Sequence, residues 1–493
     1  MPAGRSRRST AKKRRKLAPA ILSARLNSRI ALETRADGSL AASFDGYIIP
    51  LGRLSASAAK RAQDLRTGLS LKSFSAGRSA TEKEIHVLVT RLARQGLLEY
   101  PLTQDGAEIV VIEPQTADYW PRLKTPANSD TLALSRFAYL RRRGSAMVLE
   151  TPRSRALFRI CQPELAGTIA ALATPQKLGA LRRQDGFAAI ELYALLFDCN
   201  VLFKVDAGTE GQRADEGDPN LVLWDFHDLL FHTHSTEGRQ ASPIGGRFAY
   251  LDAIPPPAAV RPPWPGKAID LKPFPPLSAD DALTPFAKLL RERHSTRDFD
   301  EQAPIKLAEL AQLLEHAARV QFKWTSPLDL GDGSFGPDID YTRRPYPSGG
   351  SAYELELYLA VGQCDGLARG LYHYDAERHA LVPIEVRAEA LESLFASATF
   401  AMGAPAPPQI LVTIAGRFDR VAWKYSGIAY SLILKDVGVL LQTLYLAATD
   451  LDLGGCAIGT NNIDLFAKMT GQEFHIEGPV GLFALGRARP VGS

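Results

Sequence analysis

Between Ala253 and Leu277 the chain reads "AIPPPAAVRPPWPGKAIDLKPFPPL", with nine prolines in 25 residues. Each proline fixes φ and lacks an amide donor, so this stretch enters neither a regular helix nor the interior of a sheet. It divides the chain into two halves that must each build a core. At 493 residues about three domains of roughly 150 residues are expected. A content of 45% hydrophobic and 23% charged side chains is that of an ordinary globular chain. No apolar run is read as reaching the roughly 18 residues of a membrane span, and the N-terminus lacks the apolar core of a signal peptide.

The net charge of +4 comes from one end. Eight Lys or Arg fall in the first 16 residues, leaving 50 basic against 54 acidic side chains in the remainder. Residues 1–20 are expected to form a disordered basic tail, with contact to RNA or an anionic surface as the competing reading. Cys161, Cys199, Cys364 and Cys456 are scattered without CxxC or zinc spacing, so no metal site is expected, and a reducing compartment, the cytoplasm, fits.

In the N-terminal half, "SATEKEIHVLVTRLARQGLLEY" predicts a helix. Thr81 and Glu84 have capping-box spacing, Ile85, Leu88, Val89 and Leu92 share a face, and Gly96 stops it. "GLLEYPL" and "EIVVIEP" around Asp105-Gly106 then read as a hairpin, and helix plus two-stranded wing is a winged-helix-like arrangement over 21–115. A similar order of two short helices, a longer helix and a strand suggests a second winged-helix-like unit over 116–210. Mixed charge on the candidate recognition helix (Glu82, Glu84, Lys83, Arg91, Arg94) argues against nucleic-acid binding. Residues 211–280 form a connecting segment and the proline linker.

From 281 to 493 helices and strands alternate in an α+β pattern. "LAELAQLLEHAARVQ" is an amphipathic helix; "RPYPSGGSAYELELYLAV" is a small-residue loop opening into a strand; "RGLYHYDAERHALVPI" is a hairpin; "PQILVTIAG" is apolar throughout and expected at the centre of the sheet. "YSLILKDVGVLLQTLYLAATDLDLGG" is a long apolar helix, and "VGLFALGRA" a closing strand.

Chemistry concentrates in few places. In "RERHSTRDFD" Arg293, Ser295 and Arg297 alternate, so an extended segment turns them one way as an anion cradle; solvated surface charge is the competing reading. "GDGSFG" satisfies GxGxxG, but Pro337 follows and no helix opens there, so a dinucleotide site is not expected. His227, His232 and His234 lack HExxH spacing and read as structural or substrate-facing side chains. Cys456 reads as packing.

"RERHSTRDF", "RPYPSGGSAYELELYL", "GLYHYDAERHAL", "WKYSGIAYSLILKDVGVLLQTLYLAA" and "GGCAIG", in this order, resemble the FMN-dependent nitroreductase superfamily, and within it the SagB-type azoline dehydrogenases that mature thiazole- and oxazole-containing ribosomal peptides. The resemblance covers about 281–486; "LWDFHDLLFHTHSTEGR" before the linker is also similar to that branch, and the two-unit N-terminal layout resembles the cyanobactin-type oxidases. It implies a nitroreductase-like FMN domain preceded by peptide-recognition units, with FMN as cofactor. Arg293, His294, Ser295 and Arg297 then hold phosphate and ribityl or pyrimidine oxygens, Pro347, Ser348, Gly349 and Gly350 lie against the flavin ring, Gly455 and Gly459 form a cofactor-side turn, and Arg487 adds a phosphate contact. Lys424 and Tyr425 match the branch's catalytic Lys-Tyr pair. The partners implied are an azoline-containing precursor peptide, its leader bound by the N-terminal half, a cyclodehydratase, and a second copy of the chain in a homodimer. A general NAD(P)H-dependent nitroreductase and a winged-helix regulator with a flavin sensor domain are the alternatives.

Overall fold

A computed structural model describes residues 19–489 apart from 36–38, 45–46, 73–78, 117–118, 185–188, 206–213, 237–252, 264, 266 and 272–283. The basic tail up to residue 18 and part of the proline linker lie outside the described residues; the described part of the linker carries no helix or strand. The chain divides into two compact units, Met1–Pro219 and Asn220–Ser493.

The N-terminal unit is built on a seven-stranded antiparallel sheet in the order Leu69–Ser70, Ile21–Leu26, Leu98–Gln104, Ala107–Pro114, Ala156–Ile160, Ala146–Glu150, Tyr139–Arg143. The hairpin Leu98–Gln104/Ala107–Pro114 turns at Asp105 and Gly106, both with positive φ. Ala107–Pro114 pairs onward with Ala156–Ile160, so one sheet runs across the 115/116 division drawn from sequence. The helix before the hairpin is Ala80–Arg94, with Ile85, Leu88, Val89 and Leu92 buried. Its cap is Ser79, which accepts the Glu82 amide at 3.2 Å. Thr81 and Glu84 do not form the expected box, because the Glu84 carboxylate instead accepts the Ser55 amide at 2.7 Å. Beyond the sheet, helices Glu164–Ala171, Leu178–Leu181 and Ile190–Asp198 precede strand Leu202–Val205, which pairs with Thr131–Leu134. That is the expected order of two short helices, a longer one and a strand.

The C-terminal unit centres on a six-stranded antiparallel sheet in the order Ala380–Ile384, Gly370–Asp375, Leu355–Val361, Ile410–Arg417, Glu477–Gly486, Gly454–Ile458. Ile410–Arg417 is buried on both faces up to its last residue, which explains its unbroken apolar sequence. Leu411 and Ala415 face a layer containing Leu391, Phe395, Phe466 and Met469. On the other face Gly481 lies so close to the long helix Ala429–Asp450 that an added Cβ would meet Val437 at 2.9 Å. This helix is long and apolar enough to cross a bilayer by length and composition. Lys435 and Asp436 interrupt its apolar run, and nine of its residues, including Asp436, are buried in the unit.

Three strands of this unit went unread in the sequence. "GGCAI" is an edge strand, Gly454–Ile458, rather than a turn. "GDGSFG" turns a separate two-stranded hairpin, Phe322–Asp329 with Phe335–Arg343, on which Phe322, Trp324 and Tyr341 stack.

Gln409 locks the two ends of this unit together. Only 3% exposed, it uses all of its hydrogen-bonding capacity: Oε1 accepts from the Ile305 and Arg487 amides at 2.9 and 3.0 Å, and Nε2 donates to the Asp300 and Ala303 carbonyls at 2.6 and 3.1 Å. Gln409→Leu preserves bulk and strands four backbone groups. At about 1–3 kcal/mol for a buried polar group left without a partner, we expect a loss of at least ~3 kcal/mol in urea unfolding of the full chain; a loss below ~1 kcal/mol contradicts this role.

Candidate active site

The loop that opens strand Leu355–Val361 is strained. Gly350, Ser351 and Tyr353 all have positive φ, 63°, 55° and 45°. For the two non-glycine residues this region costs roughly 1–2 kcal/mol each. The conformation is held from below. Ser348 Oγ accepts the Tyr353 amide at 2.9 Å, the Ser351 amide donates to the Ser348 carbonyl at 3.1 Å, and Arg420 donates to the Ala352 carbonyl. Asp436 Oδ2 lies 2.8 Å from Ser348 Oγ and accepts the Gly349 amide at 2.9 Å. Backbone strain maintained by a charged side chain of another element marks a functional segment.

Lys424 and Tyr425 come to this loop. They follow the short helix Phe418–Ala422, with both amides donating to the Val421 carbonyl. Lys424 Nζ donates to the Gly350 carbonyl at 3.4 Å and stands 5.5 Å from the Tyr425 ring centroid. A Cβ on Gly350 would sit 2.5 Å from Tyr425 Oη and 2.7 Å from Lys424 Nζ. Glycine is favoured there by its φ, and its bare backbone lets both side-chain tips come this close. Lys424 is exposed.

The Arg-His-Ser-x-Arg segment forms a second cluster. Ser295 bridges Gly455 in parallel, and the Thr296 amide donates to the Gly455 carbonyl at 2.8 Å. Tyr445 organises this corner: its hydroxyl meets Ser295 Oγ at 2.9 Å and accepts the Ala457 amide at 2.8 Å, while the Arg293 guanidinium lies 5.1 Å over its ring. Arg293 and Ser295 are half-buried, Arg297 exposed. His294, also exposed, turns Nδ1 toward the Glu292 carbonyl at 2.9 Å.

Other expected site residues stand differently. A Cβ on Gly455 would overlap the Phe483 ring, so this glycine is required by packing inside the sheet. Gly459 faces open space. Pro347 is exposed at the start of the loop. Arg487 Nη2 donates to both carboxylate oxygens of Glu309 at 2.7 Å, so its guanidinium serves the helix Leu307–Ala318. His232 is a buried structural residue between Tyr430 Oη at 3.0 Å and the Phe474 carbonyl at 3.2 Å. Among the described residues no group of three or more His, Cys, Asp or Glu is placed to hold a metal ion.

The sequence reading missed Tyr445, Asp436 and Glu354. An acid inside an apolar helix was a visible signal for Asp436. Glu354 is fully buried, its Oε1 has no hydrogen-bond partner, and burial, reinforced by Asp436, pushes its pKa up to about 7. Arg344 Nε and Tyr346 Oη nearby are also buried without partners.

Residues 290–487 match the nitroreductase family and residues 132–241 the cyanobactin oxidase ThcOx. The C-terminal unit is a nitroreductase-family domain. The nitroreductase match falls where the sequence motifs placed that resemblance, and the chain carries an oxidoreductase domain of that family over residues 290–487. The putative nitroreductase MJ1384 of Methanocaldococcus jannaschii is 29% identical over 178 residues, 35% of this chain and 76% of the relative. The trifolitoxin-processing protein TfxB of Rhizobium leguminosarum bv. trifolii is 30% identical over 117 residues, 23% of this chain and 31% of the relative. Among solved structures, a chain of the E. coli microcin synthetase McbBCD complex with truncated pro-MccB17 bound aligns with a TM-score of 0.39 at 19% identity, covering 55% of this chain and 97% of that one.

The two clusters of the nitroreductase-family domain are anchored at different points of one helix. Asp436, beneath the loop, and Tyr445, beneath the cradle, are nine residues apart on one helix. At 3.6 residues per turn and 1.5 Å per residue this is two and a half turns and ~14 Å, which puts them on opposite flanks.

Proposed function

We propose that this protein is an FMN-dependent dehydrogenase that oxidises thiazoline or oxazoline rings to thiazoles or oxazoles in a ribosomally made precursor peptide. The observation that carries the reading is the approach of Lys424 and Tyr425 to the strained loop at Gly350. The cyanobactin oxidase match and the trifolitoxin-processing relative support a peptide as substrate. The N-terminal half then positions the leader or docks the cyclodehydratase that formed the azoline, in the reducing compartment that four free cysteines fit.

The residues present fit FMN at both ends. Arg293 and Ser295 offer a cation and a hydroxyl to a phosphate, with Arg297 and His294 at the rim. At the other end Gly349 and Gly350 bring bare backbone to the ring edge. FMN, when bound, supplies the hydride acceptor that aromatisation of an azoline requires. Lys424 Nζ takes the ring-carbon proton, after the substrate ring has displaced water from it, and Tyr425 Oη orients the ring or steadies the developing charge.

The opposite-flank placement of loop and cradle favours a site shared between two copies, one chain giving the ring loop and the other the phosphate cradle. Half-buried Val439 and Leu446 on the long helix supply apolar surface for that contact. Light scattering of the flavin-loaded protein is expected to give a dimer; a monomer that retains flavin contradicts the shared site.

Lys424→Ala is expected to keep its melting temperature, its flavin and its peptide affinity and to lose turnover by about 10²–10⁴-fold, the usual contribution of a positioned base. Azole formation near the wild-type rate by a variant that binds both flavin and azoline peptide removes Lys424 from the chemistry.

A further inference from the structure

Beneath the Pro347–Gly350 loop two carboxyl groups face one hydroxyl. Ser348 Oγ lies 2.8 Å from Asp436 Oδ2 and 3.2 Å from Glu354 Oε2, and accepts the Tyr353 amide at 2.9 Å. A serine hydroxyl has one proton and two lone pairs, so it donates to one carboxyl and not to both. Asp436 already accepts the Gly349 amide at 2.9 Å, so it is placed as an acceptor for the Ser348 proton. Glu354, in contrast, is 0% exposed and its Oε1 has no partner. As a second anion, once Ser348 donates to Asp436, it would stand in the interior beside that carboxyl with only its own backbone amide as a donor, an arrangement proteins relieve by protonation.

We propose that Glu354 is held as the neutral acid and acts as a proton-dependent latch for the loop: its Oε2–H donates to Ser348 Oγ, Ser348 donates to Asp436, and the strained loop is secured only while that proton is present. Every hydrogen-bonding position on Ser348 is then used once. The remaining groups leave the assignment standing. Arg344 directs Nη1 to the Leu355 carbonyl at 3.0 Å, and its charge opposes protonation of Glu354 less than burial and Asp436 favour it. Glu356 is engaged by His373 at 3.2 Å. Tyr346 Oη is buried and unpaired, and Lys424 and Tyr425 reach the loop at Gly350. Glu354 is thus a positioning residue: it touches neither end of the site directly and acts through Ser348.

The bearing of the latch on flavin rests on the proposed function; the proton count does not, so the decisive measurement needs no ligand. An acid whose pKa is raised on folding stabilises the fold in its neutral form. That stability is complete below the ordinary value of 4.5 and is lost as pH rises through about 7. Glu354→Gln keeps the shape and places an amide N–H where the acid's O–H stands, but does not ionise. Melting temperatures of the purified full chain, wild type and Glu354→Gln, are expected to agree at pH 5 and to separate as pH rises through 7, the wild type ending at least ~3 °C lower at pH 8.5. Asp436→Asn, which removes the neighbouring charge, is expected to move the wild-type transition to lower pH, and this keeps the test open should Glu354→Gln not fold. An infrared difference between wild type and Glu354→Gln at pH 6 is expected to show a protonated-carboxyl carbonyl band lost in the variant. Parallel pH profiles, an unmoved transition in Asp436→Asn, or a missing carboxyl band overturns the latch. With FMN added, retention is expected to fall at pH 8.5 in the wild type and to hold in Glu354→Gln. Equal retention alongside a working latch overturns the placement of the flavin ring at this loop instead.

Discussion

The carboxylate of Asp436 is the interaction on which the site depends. It sits in the middle of a helix whose other buried residues are apolar or aromatic, where an ionised group is tolerated only with donors around it. Ser348 and the Gly349 amide provide them, and in return the helix fixes a loop that would otherwise relax from its left-handed conformations at Ser351 and Tyr353. Because that loop is fixed, Gly350 presents a surface without a side chain, and Lys424 and Tyr425 can approach it within contact distance.

The helix itself is held by the sheet. The central strand Ile410–Arg417 is buried on both faces, and Gly481 on the neighbouring strand lets Val437 come close. Two and a half turns beyond Asp436, the same helix carries Tyr445, whose hydroxyl joins Ser295 to the edge strand at Ala457. One rigid element thus sets the height of both clusters. Their opposite flanks are the geometric reason for proposing that a complete site takes two copies of the chain.

Much of this was legible in the sequence. The uninterrupted apolar run of "PQILVTIAG", the alternation after Tyr353 and the hairpin at 375–379 gave the central strands their places, since burial on one or two faces leaves a direct periodic trace. The resemblance singled out Lys424 and Gly350 separately; their meeting left no trace in spacing, because 74 residues separate them. What stayed hidden was mostly polar and nonlocal. Nothing in "GGCAIG" distinguishes a turn from an edge strand whose glycine makes room for the Phe483 ring. Arg487 looked available for an anion because Glu309, its partner, lies 178 residues earlier. The capping-box spacing of Thr81 and Glu84 was overridden when Glu84 found the Ser55 amide, and nothing in the sequence around Glu354 marks it as a buried acid facing a second one.

We propose above all that bound FMN takes the hydride from an azoline in a precursor peptide. The most direct test is anaerobic mixing of the flavin-loaded protein with azoline peptide in the absence of any other acceptor, with the flavin's visible absorbance and the peptide's mass followed together. The account predicts that the yellow absorbance bleaches as a two-hydrogen loss appears in the peptide, one azole for each flavin reduced. Azole formation with the flavin still oxidised, or flavin that bleaches with NAD(P)H but never with the peptide, would contradict it.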